Sequence, residues 1–214
     1  IAPTRISIDA VHAPVYYAES VTSTLDLAAS LLADTATPTP HLTTIIADRQ
    51  SAGRGRLGRS WITPPGQALL ASTIVSLPAS LPTEALGWLL HACALAVRDA
   101  LSERLTPLGH AITLKWPNDV LVDGQRKICG MLAQLAPASS PFTTCVILGY
   151  GINVAQRPDN LATEQATSLY AEGDDEAAQA STAVTRAILA DVLSGLEKRI
   201  RALIAHGNAH DSGL

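Results

Sequence analysis

The sequence predicts an α+β domain with a mixed, mostly antiparallel sheet flanked by helices. Short apolar or β-branched runs recur through the chain, and several are separated only by tight-turn signals. Two long segments carry apolar residues at helical spacing. Strand runs joined by hairpins, with two or three helices, give that class.

In chain order, the first strand is expected near Val15–Ala18. Ser23-Thr24 then opens a helix to about Ala33, with a hydroxyl to cap the free amides. Leu42–Ala47 is β-branched and apolar, and reads as a buried strand. Residues Gln50–Gly66 hold four glycines, two prolines and three arginines, and predict a long loop. Ala68–Ser76 is the next strand. Thr83–Leu105 spaces Leu, Trp and Ala as one continuous helix. Ala111–Lys115, Val120–Val122, Ile128–Leu135 and Thr143–Leu148 are expected strands, with Asp123-Gly124 as a hairpin turn. Ala183–Ile204 is a second long amphipathic helix, and the polar tail His206–Leu214 is expected to fray. No repeat or low-complexity linker divides the chain, so residues 1–214 read as one domain.

Bulk composition narrows the function. The chain is 47% hydrophobic and 16% charged, which is core-rich and not disordered. No run approaches the roughly 20 apolar residues that a membrane helix needs. The net charge of −4 argues against a general nucleic-acid binder. Cys93, Cys129 and Cys145 are scattered in apolar runs and read as reduced, buried thiols. A cytoplasmic protein without DNA or membrane contacts is expected.

Charge placement points to chemistry. Twelve arginines stand against three lysines, and two of those lysines bracket one segment, from Lys115-Trp116-Pro117-Asn118-Asp119 to Arg126-Lys127. A lysine is a compact point charge and an arginine a planar fork, so the choice matters where geometry matters. A carboxylate at Asp119, beside such cations, suits magnesium. Gly53-Arg54-Gly55-Arg56-Leu57-Gly58-Arg59 combines approachable backbone with three guanidinium groups, which suits phosphate. It lacks the spacing of a Walker loop. An Arg-Gly arm that binds RNA is the competing reading, and the acidic balance weakens it. Gly149-Tyr150-Gly151-Ile152-Asn153 follows a buried strand but is no dinucleotide fingerprint, since the third glycine and the helix are missing.

Taken in order, Ser23-Thr24, the Gly-Arg loop, Lys-Trp-Pro-Asn-Asp, Arg126-Lys127-Ile-Cys-Gly130 and Gly151-Ile-Asn153 resemble the biotin protein ligase family. The resemblance spans most of the chain. It implies a catalytic core similar to class II aminoacyl-tRNA synthetases. It also implies a two-step reaction, in which biotin and ATP give biotinyl-5′-AMP with Mg2+ and biotin then passes to one lysine of a biotin carboxyl carrier protein. By resemblance, Ser23, Thr24 and Gln50 meet the ureido ring, with Gly53, Arg54 and Gly130 also on the biotin side. Arg56 and Lys127 handle the carboxylate and the adenylate phosphate. Arg54, Arg59, Trp61, Asn118 and Asn153 serve ATP. Asp119 serves magnesium or the incoming lysine, and Lys115 lies near the phosphates or the acceptor. Leu25 stands where many members have Asn. No DNA-binding domain precedes the core and no SH3-like barrel follows it within residues 1–214. Homodimers occur in the family, but no segment here identifies an interface. The enzymatic alternative is a lipoate ligase or octanoyltransferase.

Overall fold

The computed structural model describes residues 2–34, 36–137, 140–179 and 181–214. Eight strands form one sheet in the order β1-β2-β3-β4-β8-β7-β6-β5. In sequence they are β1 (Thr4–Ile6), β2 (Val15–Val21), β3 (Thr44–Gln50), β4 (Ala68–Pro78), β5 (Ile112–Lys115), β6 (Asp119–Val122), β7 (Arg126–Ala136) and β8 (Thr143–Asn153). Only β2 and β3 pair in parallel; every other neighbouring pair is antiparallel. A parallel pair needs a crossover, and α1 (Thr24–Ala33) supplies it.

The long helices lie on the other face. These are α3 (Leu89–Leu105), preceded by the single turn α2 (Thr83–Leu86), and α5 (Ser181–His206), preceded by α4 (Asp175–Gln179) and followed by α6 (Ala209–Ser212). Strand alternation separates the two faces. Leu69, Ala71, Val75, Leu148 and Ile152 join Leu89, Val97, Leu101, Ile188 and Val192 in the main core. Ile45, Ile74 and Ile147 point the opposite way and pack with Leu25 and Ala28 of α1. A buried ladder of hydroxyls, Thr44 to Thr73 at 3.0 Å and Thr73 to Tyr150 at 3.1 Å, satisfies the polar groups on the helix-backed side.

Several expectations hold in detail. Ser23 caps α1 by accepting from the Leu25 amide at 3.2 Å. Asp123 and Gly124 both have positive φ, 51° and 69°, as the tight turn between β6 and β7 requires.

Others need correction. The helix expected over 83–105 breaks at Gly87-Trp88. There the amides bond three residues back, to Glu84 and Ala85, and glycine weakens the helix at that point. The strand expected over Val120–Val122 starts one residue earlier: Trp116–Asn118 make the turn after β5 and Asp119 opens β6. The strand expected to end at Leu148 continues through both glycines to Asn153, because β4 and β7 pair with it on both sides. The tail is not frayed. Asn208 caps α6 by accepting from the Asp211 amide, and Ala209 is buried.

Candidate active site

One cleft opens on the α1 side of the sheet; its empty space, open mouth included, is about 470 Å³. Its floor is made by absence. Gly130 pairs with Gly151 across β7 and β8, and Gly149 lies two residues along the same face. A Cβ at position 151 would stand 2.6 Å from the Trp61 ring, and one at 130 would stand 2.9 Å from it and 3.0 Å from Lys127 Nζ. A Cβ at 149 would meet Leu25 at 2.9 Å. Glycine inside a strand marks such close approach.

The end of the cleft next to α1 is polar. Gln50 Oε1, at the end of β3, accepts from the Thr24 amide at 2.8 Å and from the Thr24 hydroxyl at 3.0 Å. The Ser72 hydroxyl donates to Thr24 Oγ1 at 2.8 Å. Ser23 and Thr24 are buried, yet both line the cleft.

The opposite end is cationic. Lys127 Nζ lies 2.6 Å from Asp119 Oδ1 and 5.6 Å from the centre of the Trp61 ring. Arg56 donates to Asn118 Oδ1 at 3.1 Å, so the loop tip reaches across to the β5–β6 turn. Asn118 is itself held by donating to the Met131 carbonyl at 3.2 Å. Arg54 lines the cleft but pairs with Asp26 at 2.6 Å.

The Gly-Arg loop folds on itself. Trp61 donates its amide to the Gly53 carbonyl at 2.9 Å, and Gly55 donates to Arg59 at 2.7 Å. Gly53 has no room for a side chain, since a Cβ would stand 2.4 Å from the Trp61 carbonyl oxygen. At the tip, Leu57 and Gly58 take φ of 56° and 74°. The indole of Trp61 is folded down onto the glycine floor, and its Nε1 finds no hydrogen-bond partner among the described residues.

The fold thus brings Ser23, Thr24, Gln50, Arg54, Arg56, Trp61, Asn118, Lys127 and Gly130 around one space. It does not bring in the rest in the same way. Gly53 shapes the loop from behind. Asp119 stands next to the cleft, through its ion pair with Lys127. Arg59 and Lys115 are exposed outside the lining. Asn153 is buried and turned inward. Its Nδ2 donates to the Thr167 carbonyl at 2.8 Å and its Oδ1 accepts from Gln156 at 2.9 Å, so both amide atoms are engaged with the 154–169 segment and Asn153 is not among the cleft lining.

Sequence reasoning missed Ala71, Leu132 and the floor role of Gly149, and took Leu25 only as a departure from the family. Two glycines spaced by two in an apolar run were the available signal, since period two puts them on one face.

The donor set is poor for a metal held by protein alone. Asp119 is engaged by Lys127. The one group of three close His, Asp and Glu ligands among the described residues, His110, Asp123 and Glu172, is already occupied by a cation. Arg126 donates to Glu172 at 2.6 and 2.9 Å and to Asp123 at 2.7 Å. Those bonds, from Glu172 first, hold the Arg126 guanidinium more firmly protonated than usual.

Comparison with known proteins agrees with this geometry. The model of the biotin/lipoate A/B protein ligase family matches residues 17–153. A biotin–[acetyl-CoA-carboxylase] ligase of Mycobacterium tuberculosis is 41% identical over 125 residues, which are 58% of this chain and 44% of that protein. The chain spans about half the length of the curated relatives it matches. The Aquifex aeolicus biotin protein ligase, solved with biotin and ATP, superposes with a TM-score of 0.60 at 29% identity, covering 88% of this chain and 74% of that one. The Leishmania major biotin protein ligase with biotinyl-5-AMP gives 0.61 at 26% identity, covering 89% and 78%. The family match takes in β2 through β8, which carry the glycine floor, the Gly-Arg loop and Lys127, and the chain belongs to the biotin/lipoate A/B protein ligase family.

Proposed function

We propose that this chain is an ATP-dependent biotin protein ligase that makes biotinyl-5′-AMP and passes biotin to a lysine of a biotin carboxyl carrier protein. The observation that carries the reading is the two-ended cleft. A donor–acceptor pair, Thr24 and Gln50, stands at one end and two cations, Arg56 and Lys127, at the other, over a floor without side chains. A ureido ring needs both a donor and an acceptor. A carboxylate meeting a triphosphate needs its charge offset and its approach fixed. The solved relatives with biotin, ATP and the adenylate support the same substrates.

In the first step a biotin carboxylate oxygen attacks the α-phosphorus of ATP, and the bond to pyrophosphate breaks. Arg56 and Lys127 hold the two anions together, with Arg54 and Arg59 adding positive charge around them. Trp61 leaves the glycine floor and covers the adenine. In the second step the acceptor lysine Nζ attacks the acyl carbon, the amide forms, the acyl–phosphate bond breaks and AMP leaves. Asp119 takes the lysine proton. Magnesium is read as arriving on the triphosphate, with Asp119 as its nearest carboxylate; in such sites most metal ligands are phosphate and water. Asn118 orients Arg56, and Lys115 faces the acceptor. The core is read as similar to class II aminoacyl-tRNA synthetases. All cleft residues come from one chain, so the reading does not require a homodimer. Three buried free thiols fit a reducing, cytoplasmic setting.

The decisive experiment is pyrophosphate release from ATP and Mg2+ without carrier, comparing biotin with lipoate and octanoate. Release, or a stoichiometric burst, with biotin alone is expected. Release with lipoate alone would replace this reading by a lipoate ligase. Binding of RNA with no release for any acid would leave the Arg-Gly loop as a nucleic-acid element.

A further inference from the structure

Leu57 and Trp116 are the most exposed large apolar side chains among the described residues, at 88% and 85%. Single exposed apolar residues are ordinary. These two are set apart by position. Leu57 follows Arg56 at the loop tip, and Trp116 lies two residues before Asn118 in the β5–β6 turn. The Arg56–Asn118 hydrogen bond spans the cleft mouth between those two segments, so the exposed pair flanks one crossing. Lys127 lines the same cleft as Arg56 and Asn118, and Asp119, next in sequence to Asn118, pairs with Lys127. Around the crossing stand Arg56, Arg59 and Lys115, exposed and without a carboxylate partner among the described residues. A chain of net charge −4 therefore presents a locally positive, apolar rim.

We propose that Leu57 and Trp116 form the docking rim for the acceptor protein, a folded domain with apolar surface and acidic side chains beside its target lysine. This rests on the ligase reading above. A lysine side chain is short, so the backbone that carries it must sit on the rim while its Nζ reaches Asp119. A tryptophan and a neighbouring aliphatic side chain, ringed by charge, have the make-up of an interface anchor. Opposite charge around the rim adds speed and register to the encounter.

The test separates the two half-reactions in the full chain. Leu57→Asn tolerates the positive φ at that position, and Trp116→Ala removes the ring. The double variant is expected to keep biotin-dependent pyrophosphate release, and capture of the adenylate by hydroxylamine, within about twofold. Its KM for an apo carrier domain is expected to rise at least tenfold, and Trp116→Phe is expected to recover most of that loss. An unchanged carrier KM overturns the proposal. So does an equal fall in pyrophosphate release, which would assign the two residues to the cleft. A parent chain that forms the adenylate but modifies no carrier overturns the docking rim alone. A parent chain that releases no pyrophosphate removes the ligase reading first, and the rim with it. Loss of oligonucleotide binding in the double variant, with carrier KM unchanged, would reassign the rim to single-stranded nucleic acid.

Discussion

The two faces of the sheet are built by opposite means. The helix-backed face is filled: Leu69, Val75, Leu148 and Ile152 join Leu89, Val97, Leu101 and Val192 in one buried cluster. The cleft face is emptied at Gly130, Gly149 and Gly151, and a loop side chain and a helix side chain lean into the gaps. The filled face holds the strands in register. The emptied face uses that register to place Lys127, Gln50 and Trp61 around a cavity. Stability and chemistry are therefore separable by face, and a substitution on each should report on one property only.

The largest effect expected is on the emptied face. Lys127→Ala should lower pyrophosphate release by about 10²–10³-fold, the usual loss for one electrostatic stabiliser, with an unchanged melting curve. A parallel loss of stability would erase the distinction. On the filled face, Leu101→Ala should cost about 2–5 kcal/mol in denaturant unfolding, with kcat per folded molecule unchanged. Gly151→Ala mixes the two. A methyl 2.6 Å from the Trp61 ring forces the indole off the floor, and overpacking costs about 1–3 kcal/mol. Calorimetry should show weaker biotin binding, and tryptophan emission should shift in the free protein. The smallest effect concerns the hairpin beside Lys127. The Ala111 amide, then His110 and Arg126, hold the Asp123 carboxyl at about 2, against an ordinary 3.8. A lowered folded value gives stability that is fully present above the ordinary value and lost as pH falls toward 2. The stability difference between the parent and Asp123→Asn should therefore be constant near neutrality and shrink between about pH 4 and 2. A difference that persists at pH 2 would mean that the hairpin does not depend on this charge.

What the sequence made legible was local. Ser23 announces α1 because a cap is read from one hydroxyl and the residues after it. Asp123-Gly124 announces its turn because few other pairs accept two positive φ values. The second half of β8 was hidden because glycine depresses strand propensity and the pairing that overrides it lies in β4 and β7, far away in sequence. The candidate site follows the same rule. Lys127 and the Gly-Arg loop stood out by charge type and spacing. Asn153 stood out by its motif, but its partners in the free chain, Gln156 and the Thr167 carbonyl, are set by a loop whose path no motif encodes. Leu25 was noticed only as a departure, although its side chain is what fills the space over Gly149. The network of His110, Asp123, Arg126 and Glu172 left no sequence signal, since its members are spread over 63 positions.

Thr24 and Gln50 already satisfy one another in the free chain. A ring that enters the polar end must therefore trade places with bonds already made. Such an exchange leaves the number of hydrogen bonds nearly constant, so it contributes little net attraction. It is severe toward any guest that cannot reproduce the pattern, because the pair would be pulled apart with nothing in return. On the proposed ligase reading, that end of the cleft would select among guests, and the grip on a correct one would come from the cations and the bare floor.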